Sequence, residues 1–181
     1  LVIAYASFYT DKMVRPLMPA LKSNWLIIHV MTYMLSYGVI SITFIVGLVI
    51  IYQYISKIGE FSVDNKNEVR LTTINYKLVS FAFPLLTVGL FSGAVWAKIA
   101  WGDYWTWDPK ETWSLINWFF YINYLHIPYS LPRIFKNIGV SRLKFIETLV
   151  LVLGFFVMLF TYLGLSYLPS AESSMHLYGS K

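Results

Sequence analysis

The chain has no cysteine. That excludes disulfides, CxxC redox chemistry, thiolate metal sites and thioether attachment of a prosthetic group to this chain. Histidine is scarce. Unless Met or carboxylates contribute, metal ligation must draw on His29, His126 and His176. Charge is scarce too: 13% of the 181 residues are Asp, Glu, Lys or Arg, about half the level typical of soluble domains. The formal net charge is +5, yet no basic run has nucleic-acid character, so no nucleic-acid partner is expected. There is no initiator Met, no basic n-region and no signal-peptide cleavage site. The opening Leu1-Val-Ile-Ala reads as the end of an earlier transmembrane helix. The chain is therefore expected to be the C-terminal part of a longer protein.

What is abundant is apolar. Hydrophobic residues make up 57% of the chain, aromatics 19%, and the mean hydropathy is +0.60. This composition belongs to an integral membrane protein, and its size to one domain over residues 1–181. A spanning helix needs roughly 20 mostly apolar residues. Four segments qualify: about Trp25–Ile55, Leu78–Ile99, Trp113–Pro128 or slightly beyond (the shortest), and Phe145–Leu168. The expected fold is all-α, a polytopic membrane helix bundle of about four transmembrane helices with an outer Trp-rich loop.

The loop charges orient the bundle. Lys57, Lys66, Arg70 and Lys77 join spans one and two, and Arg133, Lys136, Arg142 and Lys144 join spans three and four. Lys12, Arg15, Lys22, Lys98, Lys110 and Lys181 fall on the other side. The bias of eight to six places the two basic connections on the cytoplasmic side. His29, the loop between spans two and three, and His176 then share the outer face. His126 lies thirteen residues past Trp113, roughly 20 Å deeper at helical rise.

That loop is the most informative stretch: Trp101-Gly-Asp-Tyr-Trp-Thr-Trp-Asp-Pro-Lys-Glu-Thr-Trp113. It holds four of the seven Trp. A core element would not carry Asp103, Asp108, Lys110 and Glu111 among so many aromatics, and a solvated loop would not carry four Trp. Trp and Tyr do collect at bilayer interfaces, but not at this density. Trp101, Trp105, Trp107 and Trp113 are therefore read as a platform for a large, planar, partly charged ligand. Trp25, Trp96 and Trp118 are read as belt or packing residues.

His29 and His176 are either interfacial side chains bonded to headgroups or axial ligands to a haem iron over this loop. Their convergence on four Trp favours ligation. His126 is either an interfacial His before Pro128 or a ligand to haem entering from the inner side. A second ligand at its depth would have to come from outside the chain. Lys110 is placed to meet propionates. Asp108 before Pro109 reads as a helix N-cap with Pro at the first helical position. Glu111 then sits in the first turn, where the dipole favours an acid. Gly89, Ser92 and Gly93 offer small surfaces for close helix packing. Tyr33, Ser36 and Tyr37 are read as packing or hydrogen-bonding groups.

The loop resembles the tryptophan-rich WWD signature of haem-handling proteins in cytochrome c biogenesis. Its Trp-Asp-Pro-Lys-Glu-Thr-Trp ending resembles the CcsA (ResC) branch more than the CcmC or CcmF branches. Further matches are Pro19-Ala-Leu-Lys-Ser-Asn-Trp-Leu-Ile-Ile-His29, Phe83-Pro-Leu-Leu-Thr-Val-Gly-Leu-Phe-Ser-Gly-Ala-Val-Trp96, Tyr124-Leu-His126 and His176-Leu-Tyr-Gly179. The resemblance spans essentially the whole chain. It departs from the family in lacking the N-terminal helices and in a longer stretch before His176, near Pro169–Met175.

The resemblance implies binding of haem b, as substrate, and its presentation on the outer face for covalent attachment to an apocytochrome c CxxCH motif. It implies a part in a holocytochrome c synthase (lyase) complex with a CcsB/ResB-type membrane partner or fused domain, served by thiol-reducing proteins. By position it makes His29 and His176 the outer iron ligands and His126 a membrane-site ligand. Trp101, Trp105, Trp107, Asp108, Lys110 and Trp113 would surround the haem. The membrane would be a bacterial plasma membrane, with the site on its periplasmic face, or a thylakoid, with the site on the lumen side. The rival readings are a CcmC- or CcmF-type haem delivery protein, a membrane transferase or transporter with a Trp sugar platform, and a redox subunit with structural haem.

Overall fold

A computed structural model describes residues 19–56, 66–136 and 139–163. A 3-10 turn at Pro19–Lys22 leads into α1 (Asn24–Ser56). It is followed by α2 (Lys66–Trp101), α3 (Pro109–Ile134) and α4 (Val140–Tyr162). There is no strand among the described residues. Helices are the expected outcome for long apolar runs in lipid, where every backbone polar group must be satisfied within the segment. With 33 and 36 residues, α1 and α2 are each about 50 Å long. Both exceed the roughly 30 Å hydrocarbon core.

Helices α1, α2 (over Arg70–Trp101) and α4 are long and apolar enough to cross a membrane. The protein is an integral membrane protein with an all-α bundle. Helix α3 is the polar exception, as its Asn117, Asn123, His126 and two internal prolines indicate.

The boundaries differ from expectation at three points. Helix α2 begins at Lys66 rather than Leu78, because no Gly or Pro breaks it before Pro84. Its polar Thr72 and Asn75 turn inward and are buried. Helix α3 runs through Pro128 and Pro132 to Ile134, since each proline removes only one ladder donor and a membrane bundle tolerates internal prolines. Helix α4 begins at Val140. Its expected end at Leu168 lies outside the described residues.

The principal contacts are α1 with α2, α2 with α3, α3 with α4, and α4 with α1. The four helices thus form a ring, with α1 and α3 on one diagonal. The shared core takes Tyr33 and Ile40 from α1, Val79, Ala82 and Leu86 from α2, Tyr121 and Tyr124 from α3, and Leu151 and Met158 from α4. Polar cross-links tie the ring. Ser36 Oγ donates to the Ala82 carbonyl at 3.0 Å, and Trp118 Nε1 donates to Thr87 Oγ1 at 2.9 Å. Phe44 stacks on Phe155 with centroids 4.0 Å apart. Phe81, Phe91, Phe119 and Phe156 point outward.

Lipid removes most of the hydrophobic drive between helices and leaves packing as the main adhesive. Leu86, 1% exposed, is therefore expected to lose about 2–5 kcal/mol on truncation to Ala, because the vacated volume forfeits its contacts. The outward-facing Leu153→Ala should fall within about 0.5 kcal/mol of wild type. Reversible unfolding in detergent micelles checks both.

Candidate functional site

A cavity of about 450 Å³ opens at the end of the ring where α1 starts and α2 finishes. Its volume falls within the roughly 300–1,000 Å³ of small-molecule and cofactor sites. His29, Tyr33, Trp96, Trp105, Lys110 and Glu111 are among its walls.

The geometry of His29 follows from two glycines. Its Nδ1 lies 2.8 Å from the Gly89 carbonyl oxygen. A carbonyl can only accept, so Nδ1 is the donor, and the neutral ring carries its lone pair on Nε2. This is the arrangement in which an imidazole is oriented for metal ligation through the other nitrogen. A Cβ added at Gly93 would stand 2.5 Å from His29 Nδ1, and one at Gly89 would stand 2.6 Å from Tyr33 Cδ2. Only glycine lets α1 lie this close. Tyr33 meets the imidazole edge-on at 5.0 Å, and Trp96 stacks nearly parallel to it at 6.4 Å.

The loop after α2 turns at Gly102, whose φ of 95° suits glycine alone. Lys98 Nζ donates to the Gly102 carbonyl at 2.5 Å and lies 5.5 Å from the Tyr104 ring centroid. The loop ends in a capping box. Asp108 Oδ1 accepts from the Lys110 amide at 2.8 Å, and Pro109 opens α3. Glu111 Oε2 accepts from the Thr106 amide at 2.8 Å and the Asp108 amide at 3.2 Å. The N-cap at Asp108 and Pro109 at the first helical position match the sequence expectation, and Glu111 adds bonds back to the loop beyond the dipole role expected of it. Glu111 Oε1 is buried, has no hydrogen-bond partner, and belongs to a cavity residue.

The four loop tryptophans do not form one surface. Trp105 lines the cavity. Trp101 packs edge-on against Trp96 at 4.8 Å. Trp113 packs against Phe160 of α4 at 4.5 Å. Trp107, 68% exposed, is held at φ 60°, left-handed backbone that a bulky residue seldom adopts. Its ring stands perpendicular to Trp105 at 5.8 Å. Asp108 is buried beneath the loop as the cap. His126 is elsewhere: it is exposed on α3, and its Nδ1 donates to the Ile122 carbonyl at 2.7 Å. His176 lies outside the described residues. His29, Trp105 and Lys110 thus meet at one cavity, whose walls do not include Trp101, Trp107 or Trp113.

The cytochrome C assembly protein family model matches residues 1–171. The chain belongs to that family. It is 32% identical to the cytochrome c biogenesis protein CcsA of Cyanophora paradoxa, covering 99% of this chain and 66% of the relative. It is 35% identical to the CcsA of Chlamydomonas reinhardtii, covering 99% and 48%. Identity to the CcsA of Guillardia theta is 39%, covering 91% and 57%. The chain therefore spans about half to two thirds of the length of these relatives.

For this family member, sequence reading missed Trp96, Tyr33, Tyr104 and Ser114 as cavity walls. Trp96 and Tyr33 could have been found from their helical spacing. Tyr33 is one turn from His29, and Trp96 is one turn from both Gly93 and the loop. Two substitutions test the close approach. Gly93→Ala should lower the melting temperature, because the imidazole must leave its carbonyl. Gly38→Ala, where an added Cβ meets nothing within 4 Å, should stabilise α1 by up to about 1 kcal/mol. The cap is tested in the same assay. Asp108→Ala should lose about 1 kcal/mol, and Asp108→Asn should retain most of it.

Proposed function

We propose that this chain binds haem b as a substrate and presents it for covalent attachment to apocytochrome c. The observation that carries the reading is His29. Its tautomer is set by the Gly89 carbonyl, so Nε2 carries the lone pair, on the wall of a cavity beside the Trp-rich loop. An aromatic-walled cavity with one imidazole and one cation suits a planar macrocycle with an iron centre and carboxylate edges. His29 takes one axial position and His176 the other. Lys110 meets the propionates, Trp105 and Trp96 cover a face, and Trp101, Trp107 and Trp113 shape the rim. Asp108 acts by holding the loop.

The contribution to the reaction is positional. In thioether formation a cysteine S–H adds across a vinyl C=C. The sulfur bonds to one carbon, the hydrogen passes to the other, and no oxidant is consumed. Fixing the iron and covering one face of the ring leaves the vinyl edge open to both thiols of a CxxCH motif, so that proximity lowers the barrier. The arriving cytochrome His then replaces one axial ligand and releases the product. His126, exposed on α3, is offered to a CcsB/ResB-type partner that supplies the second ligand of a membrane site. Thiol-reducing proteins keep the CxxCH thiols available. The complex acts as a holocytochrome c synthase, with the cavity on the outer face of a bacterial plasma membrane or the lumen side of a thylakoid.

His29→Ala is expected to abolish covalent cytochrome c formation, read by haem staining of denaturing gels, in cells that supply the partner. Phe156→Ala, on the outward face of α4, should leave it at wild-type level. Full maturation by the His29 variant would sink the ligand assignment.

A further inference from the structure

Helix α3 turns a polar face into the bundle. Ser114, Asn117, Tyr121 and Tyr124 recur at helical spacing on one side, below Glu111. Ser114 and Glu111 line the cavity. Asn117 and Tyr121 are each 0% exposed. Neither atom of the Asn117 amide has a hydrogen-bond partner, and neither does the Tyr121 hydroxyl. Tyr37 and Tyr124 lie near Tyr121, and Tyr76 and Glu147 lie near Tyr124. At the far end Glu147 is 5% exposed. Its Oε2 accepts from Lys144 Nζ at 2.9 Å, and its Oε1 has no partner. Asn75 on α2, also buried, has an unpartnered amide at the same end as Tyr76.

Buried polar groups are almost always paired with protein or with ordered water. An unpaired buried amide or hydroxyl is destabilising by about 1–3 kcal/mol, so consecutive orphans along one helix face call for a shared occupant. No outside segment can supply it, because Asn117 and Tyr121 are already enclosed by this chain. Each group has the two-way hydrogen-bonding capacity that suits water. A Cβ added at Gly154 would stand 3.1 Å from the Tyr121 hydroxyl and 2.9 Å from Phe120 Cε1, so α4 packs closely against α3 beside that hydroxyl. From Glu111 to Tyr124 the line runs about 20 Å along the helix. Ionisable groups inside a membrane bundle mark ion and proton pathways.

We propose that the inward face of α3 lines a file of water molecules that carries protons between the cavity and Glu147. Protons pass along hydroxyls and waters by exchange of O–H bonds, with no net bond made or broken. The Lys144–Glu147 ion pair closes the far end, so the seam communicates with the cavity without leaking across the bilayer.

The test needs no ligand in the cavity. The purified protein in nanodiscs is subjected to hydroxyl-radical footprinting, in which buried side chains are labelled only beside bound water. Tyr121 should be labelled several-fold faster than the lipid-facing Phe156. Asn117→Leu should bring Tyr121 down to the Phe156 level, and Asn117→Ser should keep it labelled. Tyr121 labelling no faster than Phe156 in the wild type would show a dry interior and overturn the proposal. In proteoliposomes with an entrapped pH dye, Lys144→Ala should dissipate a proton gradient several-fold faster than wild type. Adding Asn117→Leu should restore the slow rate. A Lys144→Ala protein as tight as wild type would overturn the proton path even with Tyr121 labelled.

Discussion

Two glycines one turn apart on α2 let α1 come close enough for an imidazole to reach a backbone carbonyl. The cavity depends on that approach. A methyl group at Gly93 would occupy the place of the His29 ring, and one at Gly89 would occupy the place of Tyr33. The same contact does two things. It holds the α1–α2 pair together by packing, which in lipid is the main adhesive between helices. It also selects the tautomer of His29, which decides the nitrogen that can serve as a ligand. Packing and chemistry are therefore set by the same few atoms.

Helix α3 has a different task. Its start fixes the loop. Asp108 closes the first turn, and Glu111 gathers the amides of Thr106 and Asp108. This box draws the chain back sharply enough to hold Trp107 in left-handed backbone with its ring exposed. The loop tryptophans then divide. Trp101, the last residue of α2, packs on Trp96 of the same helix, and Trp113 near the start of α3 packs on Phe160 of α4. Trp105 lines the cavity, and Trp107 stands exposed against the Trp105 ring. Further along, α3 spends its inward face on polar side chains, which explains why it lacks the uniform apolarity of the other three helices.

Much of this was legible in the sequence. Uninterrupted apolar runs gave α1 almost to the residue, because nothing in Trp25–Ile55 breaks a helix. The Asp108, Pro109 and Glu111 spacing gave the N-cap of α3, since that pattern has a local hydrogen-bonding cause. The small residues Gly89 and Gly93 gave a close helix contact, though not the identity of the ring they admit. The ends of α2 and α3 were not legible. Hydropathy reports where a chain meets lipid, whereas α2 continues for a dozen residues beyond that limit. Pro128 read as the end of the third span, yet the helix continues through it to Ile134. Ring placement was also hidden. Which Trp faces the cavity depends on tertiary packing and on one left-handed residue, neither of which leaves a mark in spacing. The polar face of α3 was written in the sequence at positions 114, 117, 121 and 124, but a period of that kind reads equally as a wet surface until the bundle encloses it.

The most direct measurement is the visible absorption spectrum of the full-length protein, purified in detergent with the proposed CcsB/ResB-type partner. The account predicts a low-spin, six-coordinate haem spectrum in the wild type. The outer-site signal should be lost on His29→Ala and recovered when imidazole is added. A folded wild-type protein with no Soret band, or a His29→Ala protein with an unchanged spectrum, would contradict it.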